Sequence, residues 1–296
     1  MEEGLLLKGV GGFYTVRTPG GEMVECKARG RFRKDGVTPL CGDRVLFARQ
    51  KEGYALLAEI LPRKNALIRP PVANITQLVI VLSASAPKPD FLLCDKLLLC
   101  AALYHIRPLV VLNKCEQADA GVQQALRDEY ANCCETLCVS AHTGTGMEIL
   151  CGKLGKQGEI SCFAGQSAVG KSSLLNALLP ELHLPVGDLA RKTERGRHTT
   201  RHAQLWPYGQ GAVLDTPGFS LLELPDPPPS QEELDRAYPE FGDGPQRCRF
   251  AGCSHITEPG CGVKELLEQG RLSKGRYQRY TEICQQFQKM RKHQYD

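Results

Sequence analysis

Residues 165–173, GQSAVGKSS, fit the spacing G-x-x-x-x-G-K-[ST], with Gly165, Gly170, Lys171 and Ser172 in the defining places. Glycines let backbone N–H groups close around phosphate oxygens, here those of Gln166, Ser167, Ala168 and Val169. The helix that follows adds the positive end of its dipole. Lys171 is placed to reach the β and γ phosphates of a nucleotide, which makes it a catalytic candidate as well as a binding one. The Ser172 hydroxyl, with Ser173 beside it, is placed to ligate Mg²⁺.

Downstream, GAVLDTPGF (211–219) ends a predicted strand on Asp215 and turns at Pro217-Gly218. Asp215 would hold the Mg²⁺ shell, and the Gly218 amide would sense the γ-phosphate. Phe219 follows, where a water-positioning Gln often stands, and a phenyl ring cannot orient water. Hydrolysis then needs another group. His198, in the basic segment LARKTERGRHTTRHAQLW (189–206), is the candidate by residue type, with an RNA-contacting or merely exposed His as an equal alternative. Thr199 or Thr200 would complete the Mg²⁺ shell. This polar, Gly-broken stretch is expected to be disordered without its partner.

Upstream of the phosphate loop, NKCE (113–116) follows another apolar run. Asn113 is suited to bond a purine and Lys114 to lay its stem on the base. Glu116 is suited to accept hydrogen bonds from guanine N1–H and N2–H₂, donors that adenine lacks. Glu116 carries its carboxylate one methylene further out than the Asp usual in such elements, and guanine selectivity is expected to survive. Ser140 and Ala141, in VSA (139–141), supply a second base loop whose backbone would touch the guanine O6. The order is base reader, base loop, phosphate loop, switch, magnesium aspartate, a circular permutation of the usual one. The segment after Asp215 therefore leads directly into the C-terminal region, so nucleotide state could move that region.

CRFAGCSHITEPGC (248–261) places Cys248, Cys253, His255 and Cys261 within one short stretch. Three thiolates and an imidazole suit a closed, structural, tetrahedral Zn²⁺ site. The other cysteines of the fourteen sit mostly among apolar residues, where a thiol behaves as a small hydrophobe.

The elements that must position these groups can also be read. The first 65 residues alternate short apolar stretches with Gly-rich turns, the pattern of a small β barrel of OB type. KARGRFRK (27–34) adds five basic residues and an aromatic, a surface that commonly binds nucleic acid. From residue 75, apolar strands (77–83, 108–113, 135–141, 159–165) alternate with helical stretches (90–105, 116–132, 145–154, 171–179). That alternation implies a parallel sheet covered on both faces. PDPPPS (225–230) closes this region, and the tail from 231 reads as helical. The expected domains are 1–65, 66–224 and 225–296.

The chain has 296 residues, 42% hydrophobic and 24% charged, as a soluble globular protein would. The acidic N-terminus MEEG does not suit a signal peptide, and no apolar run is long enough to span a membrane, so a cytoplasmic protein is expected. Net charge is +4 but uneven. Residues 1–65 carry 12 basic and 8 acidic groups, 66–261 carry 17 and 21, and 262–296 carry 8 and 4. Basic flanks around an acidic centre suggest a polyanion partner touched at both ends.

The permuted motif order, GQSAVGKSSLLNAL, GRHTT, DTPGF and the Cys-Cys-His-Cys cluster together resemble the circularly permuted YjeQ-like GTPases, the ribosome small subunit-dependent GTPase A family. The likeness covers nearly the whole chain. It implies an α/β P-loop GTPase domain with an N-terminal OB-fold barrel and a C-terminal zinc-binding helical domain. It implies GTP hydrolysis in late maturation of the 30S subunit, stimulated by that subunit, with 16S rRNA as partner and a monomeric chain. It also implies a catalytic role for His198 and zinc ligation by Cys248, Cys253, His255 and Cys261. Glu116 departs from the Asp usual in that family. An RNA-binding module that uses nucleotide only to lock its shape, and an NTPase without base preference, are the alternatives. Turnover with ribosomal subunits, and GTP against ATP, separate them.

Overall fold

The computed structural model describes residues 1–28, 32, 36–68, 70–118, 120–184, 203–215, 225 and 227–293. His198, Thr199, Thr200, Gly218 and Phe219 lie outside them, as do parts of the basic stretches 27–34 and 189–206. The chain divides into two compact units. One comprises Met1–Leu78, Glu148–Phe163 and Lys171–Phe219; the other comprises Val79–Met147, Ala164–Gly170 and Ser220–Asp296.

The first unit opens with a closed barrel of β1 (Glu2–Val10), β2 (Phe13–Arg17), β3 (Met23–Ala28), β4 (Arg44–Ala48) and β5 (Ala55–Ile60), ordered β1-β2-β3-β5-β4. Only the β3–β5 pair is parallel. This is the barrel the period-2 pattern predicts. Leu6, Val16, Cys26, Val45, Phe47 and Leu57 alternate inward to complete burial, and closure removes the sheet edges. Gly4 permits the closure, because a Cβ there would sit 2.4 Å from Val16 Cγ1. Two short strands, β6 (Ala66–Leu67) and β7 (Val72–Ala73), follow the barrel.

A six-stranded sheet runs β10 (Glu135–Cys138), β9 (Arg107–Asn113), β8 (Gln77–Ser83), β11 (Ile160–Ala164), β13 (Gly211–Asp215), β12 (Gln204–Tyr208). The β9–β10 and β11–β13 pairs are parallel, and β12 is an antiparallel edge. Every residue of β8 and β11 is buried, as parallel strands with both faces covered require. Within the first unit, the Arg17 guanidinium donates to the Gly211 carbonyl at 3.2 Å and the Cys41 thiol to that of Ala203 at 2.9 Å. These bonds fasten the barrel to the β12–β13 edge.

In the second unit, α1 (Phe91–Leu103) starts at Asp90, whose carboxylate accepts from the Leu93 amide at 2.9 Å. A 3₁₀ turn (Cys115–Gln117) and α2 (Ala120–Tyr130) occupy the expected 116–132 helix. The strand expected over 135–141 stops at Cys138. The Ser140 hydroxyl accepts from the amides of His142 and Thr143, at 3.2 and 2.9 Å, and turns the chain. Of the remaining helices, α3 (Met147–Gly152, all but its first residue) and α4 (Lys171–Leu178) belong to the first unit, and α5 (Gln231–Ala237), α6 (Gly262–Glu268) and α7 (Lys274–His293) to the second. Ser230 and Glu233 cap α5 reciprocally.

The long α7 is basic, yet its first two arginines are committed within the fold. Arg276 is 1% exposed and meets Asp95 of α1 at 2.7 Å and Glu240 at 2.6 Å. Arg279 meets Asp95 at 2.5 Å and Glu129 of α2 at 2.7 Å. Asp95, itself buried, also accepts from the Tyr130 hydroxyl at 2.7 Å. Two cations around one buried carboxylate explain how α7 docks on α1 through polar groups as well as through Leu99, Tyr280, Ile283 and Phe287. Part of the basic excess counted over 262–296 is therefore structural.

Candidate functional site

Asn113 ends β9 buried, 2% exposed. Its side chain makes two bonds to loops far away in sequence. Nδ2 donates to the Val169 carbonyl at 3.0 Å, and Oδ1 accepts from the Ala141 amide at 3.2 Å. One amide thus ties the phosphate loop to the second base loop. Lys114 takes a left-handed conformation (φ 63°), which turns its side chain back over the loop. Its ammonium donates to the carbonyls of Ala168, at 2.9 Å, and Ala86, at 2.6 Å.

The glycine requirement of the phosphate loop is visible at both ends. Gly165 has φ +134°, and a Cβ there would lie 2.2 Å from the Val81 carbonyl oxygen of β8. Gly170 has φ +96°, and a Cβ there would lie 2.2 Å from Asn113 Nδ2. Packing of Gly170 on Asn113 is what brings phosphate binder and base reader together.

Glu116 is exposed at the end of this arrangement. The Ser140 hydroxyl beside it, ahead of a small cost of burial, holds its carboxyl below the usual range. It is an anionic acceptor at neutral pH, as pairing with guanine N1–H and N2–H₂ demands. Ser140 itself is fully buried and Ala141 follows it, so both expected base-loop residues lie where β10 gives way to a turn.

Lys171, Ser172 and Ser173 form the first turn of α4, directly after Gly170. Asp215 is the last residue of β13, whose Leu214 stands opposite Cys162 of β11. Adjacent parallel strands β11 and β13 therefore end at the phosphate loop and at Asp215. Ligands of open α/β sheets sit outside such carboxyl ends. A hydroxyl and a carboxylate are oxygen donors of the kind that suit Mg²⁺.

Near the C-terminus, Cys248, Cys253, His255 and Cys261 bring their ligand atoms within 4.8 Å of one another. Cys248 Sγ lies 3.8 Å from Cys261 Sγ, and His255 Nδ1 lies 3.4 and 3.3 Å from these two sulfurs. A tetrahedral Zn²⁺ with ordinary Zn–S and Zn–N lengths needs ligand separations of about 3.5–3.8 Å. The four residues fit the ion. His255 Nε2 meets Asp235 Oδ1 at 3.0 Å, the outer partner that fixes which ring nitrogen faces a metal. Asp235 lies on α5, 20 residues from His255, and no spacing in the sequence marks it. The backbone here is held by Tyr277, whose hydroxyl donates to the His255 carbonyl at 2.6 Å, and by Glu258. Burial opposes ionisation of Glu258, but bonds from Ser254 and neighbouring amides prevail and bring its pKa to about 2.

The Asn113 geometry gives a direct test. Asn113→Ala leaves the Val169 carbonyl and the Ala141 amide without their partner. A stability loss of about 1–3 kcal/mol is expected, together with weakened guanine-nucleotide binding. Urea unfolding and nucleotide titration measure both, and an unchanged affinity would remove Asn113 from the site.

The family model described as RsgA GTPase matches residues 60–225, and that of the RsgA N-terminal domain matches residues 3–57. A protein of Geobacillus sp. (strain WCH70) named small ribosomal subunit biogenesis GTPase RsgA is 42% identical over 299 residues, covering 100% of both chains. One of the same name from Ruminiclostridium cellulolyticum is 45% identical over 289 residues, covering 96% of this chain and 93% of its own. The crystal structure of YjeQ from Thermotoga maritima superposes with a TM-score of 0.84 at 35% identity, covering 97% and 98% of the two chains. That of YloQ, a circularly permuted GTPase, gives 0.81 at 33%, covering 98% and 96%. With the permuted motif order, the barrel and these full-length likenesses in agreement, the chain belongs to the RsgA GTPase family and is a GTP-hydrolysing enzyme.

Proposed function

We propose that the chain couples GTP hydrolysis to late assembly of the small ribosomal subunit, that the 30S subunit stimulates this hydrolysis, and that the chain grips 16S rRNA meanwhile. The observation that carries the nucleotide part is the Asn113 side chain, which joins the phosphate loop and the base loop into one guanine-reading element. The relatives named small ribosomal subunit biogenesis GTPase supply the partner. The working division is an RNA-binding barrel (1–65), a permuted GTPase domain (66–224) and a zinc-binding helical domain (225–296), in a monomeric cytoplasmic protein. Among the described residues no helix is long and apolar enough to cross a membrane.

GTP and GDP are bound by Gly165–Ser173, Asn113, Lys114, Glu116, Ser140 and Ala141. Ser172, Asp215 and one of Thr199 and Thr200 would hold Mg²⁺, which would supply positive charge against the phosphates. Lys171 adds a fixed positive charge there, the Gly218 amide reads the γ-phosphate, and His198 orients the attacking water. The exposed Phe13 and Tyr54 rings of the barrel pack edge to face with Lys27 over both, a surface suited to unpaired bases.

Hydrolysis by the purified chain, alone and with isolated small subunits, tests the reading, with ATP as parallel substrate. Strong stimulation confined to GTP is the expected result. Absence of stimulation favours an RNA-binding module, and equal use of ATP means that Glu116 does not discriminate. His198→Ala is expected to cut stimulated turnover by about 10²-fold or more while sparing GTP binding. Unchanged turnover would sink that role.

A further inference from the structure

Neither the nucleotide site nor the zinc site uses Cys133 and Cys134, two adjacent thiols in the turn after α2. Both are partly exposed, and neither is in a disulfide. Their backbone amides both donate to the Tyr130 carbonyl, at 2.9 and 3.2 Å, which pins the pair at the helix end. Arg276, buried and positively charged, donates from Nη2 to Cys133 Sγ at 3.4 Å. A thiolate, not a thiol, is the nucleophile in sulfur exchange, and a neighbouring guanidinium favours it. The two sulfurs are unequal. A hydrogen bond from Cys134, then the Arg276 charge, hold Cys133 below the usual thiol range despite burial. Cys134 moves up, chiefly because its proton is shared with Cys133, and burial adds to this. Cys94 of α1 is fully buried, beyond the reach of solutes.

We propose that Cys133 and Cys134 form a reversible modification site for low-molecular-mass disulfides, with Cys133 as the attacking thiol and Cys134 as the resolving one. The Cys133 thiolate attacks one sulfur of R–S–S–R. That S–S bond breaks, a Cys133–S–S–R bond forms, and RS⁻ leaves and takes up a proton. Capping Cys133 removes the negative charge that holds the proton on Cys134. Cys134 then loses that proton to solvent, attacks the Cys133 sulfur and displaces the second RS⁻. Two protein thiols are oxidised to one disulfide, and R–S–S–R is reduced to two thiols. Adjacent Cα atoms lie about 3.8 Å apart, under the usual disulfide span of roughly 4.4–6.8 Å, so the product is readily reduced and the site resets. Oxidation matters to the fold because Arg276 loses one of its three partners, Cys133 beside Asp95 and Glu240.

The test uses the full, zinc-loaded chain with oxidised glutathione as probe, followed by alkylation and cleavage after glutamate. Glu129 and Glu135 flank the pair, so the peptide 130–135 carries these two cysteines and no other. It is expected to escape alkylation, with a mass two hydrogens below that of the free dithiol peptide, before any peptide from 248–261 changes, and to become alkylated again after a small dithiol reductant. Cys134→Ser should stop at a glutathione adduct on Cys133. Cys133→Ser should leave Cys134 unreacted over the same time, and GTP turnover confirms that both variants are folded. If residues 130–135 stay fully alkylated while other cysteines oxidise, or if Cys134 reacts equally fast in Cys133→Ser, the proposal is overturned.

Discussion

Lys171→Ala is expected to lower GTP turnover by about 10³-fold, the scale of removing one preorganised charge-stabilising group from a transition state. Lys171 is the first residue of α4 and follows Gly170, whose φ of +96° turns the chain into the helix. Little covalent chemistry falls to the protein in phosphoryl transfer, so positioned charge supplies most of the catalysis. In the proposed division of roles Asn113 and Glu116 act on binding and Lys171 on charge that builds during reaction, so the loss should exceed that of any base-reading variant. Single-turnover hydrolysis at saturating GTP, with and without small subunits, isolates the chemical step. If turnover at saturation stays within a few-fold of the unmodified chain, Lys171 is a binding residue alone. Gly170→Ala offers a contrasting case. Its Cβ would strike Asn113 Nδ2, so it should damage phosphate and base recognition together.

Local patterns made much of this legible. The phosphate loop, the Asp215 strand end, the NKCE element and the Cys/His cluster each lie within a short window, and their residue types are dictated by what they touch. The barrel was legible because period-2 burial and Gly turns are local signals too. The arrangements that couple these parts were not. Asn113 reaches Val169 across 56 residues and Ala141 across 28, and nothing in NKCE says that its Asn will hold the phosphate loop. Arg276 and Arg279 read as a basic helix face, yet the tertiary fold turns them onto Asp95, Glu129 and Glu240. Charge counts cannot tell a phosphate-seeking arginine from one already paired. The strand after α2 was read three residues too long because the Ser140 hydroxyl competes for the backbone, a side-chain effect that apolar periodicity misses.

Zinc removal is expected to have the largest effect on the fold. The four ligands lie in a stretch with 3₁₀ turns and one short helix, α6, so little hydrogen-bonded structure would survive alone. Structural zinc in small modules carries apparent binding energies of about 10–16 kcal/mol, and that energy is folding energy. Chelation should therefore loosen the cluster of Tyr238, Phe241 and Tyr280, whose rings pack against one another and around His255. Near-ultraviolet circular dichroism reads those tyrosines, and amide exchange over 231–268 reads the backbone. Asp235→Ala should act more gently, weakening zinc by about 10–100-fold by freeing the His255 ring, with the four ligands intact. A competing chromophoric chelator measures that affinity. If the chelated chain keeps its tyrosine signal and its slow amides, the packing of α7 on α1 holds this region together and the metal does not.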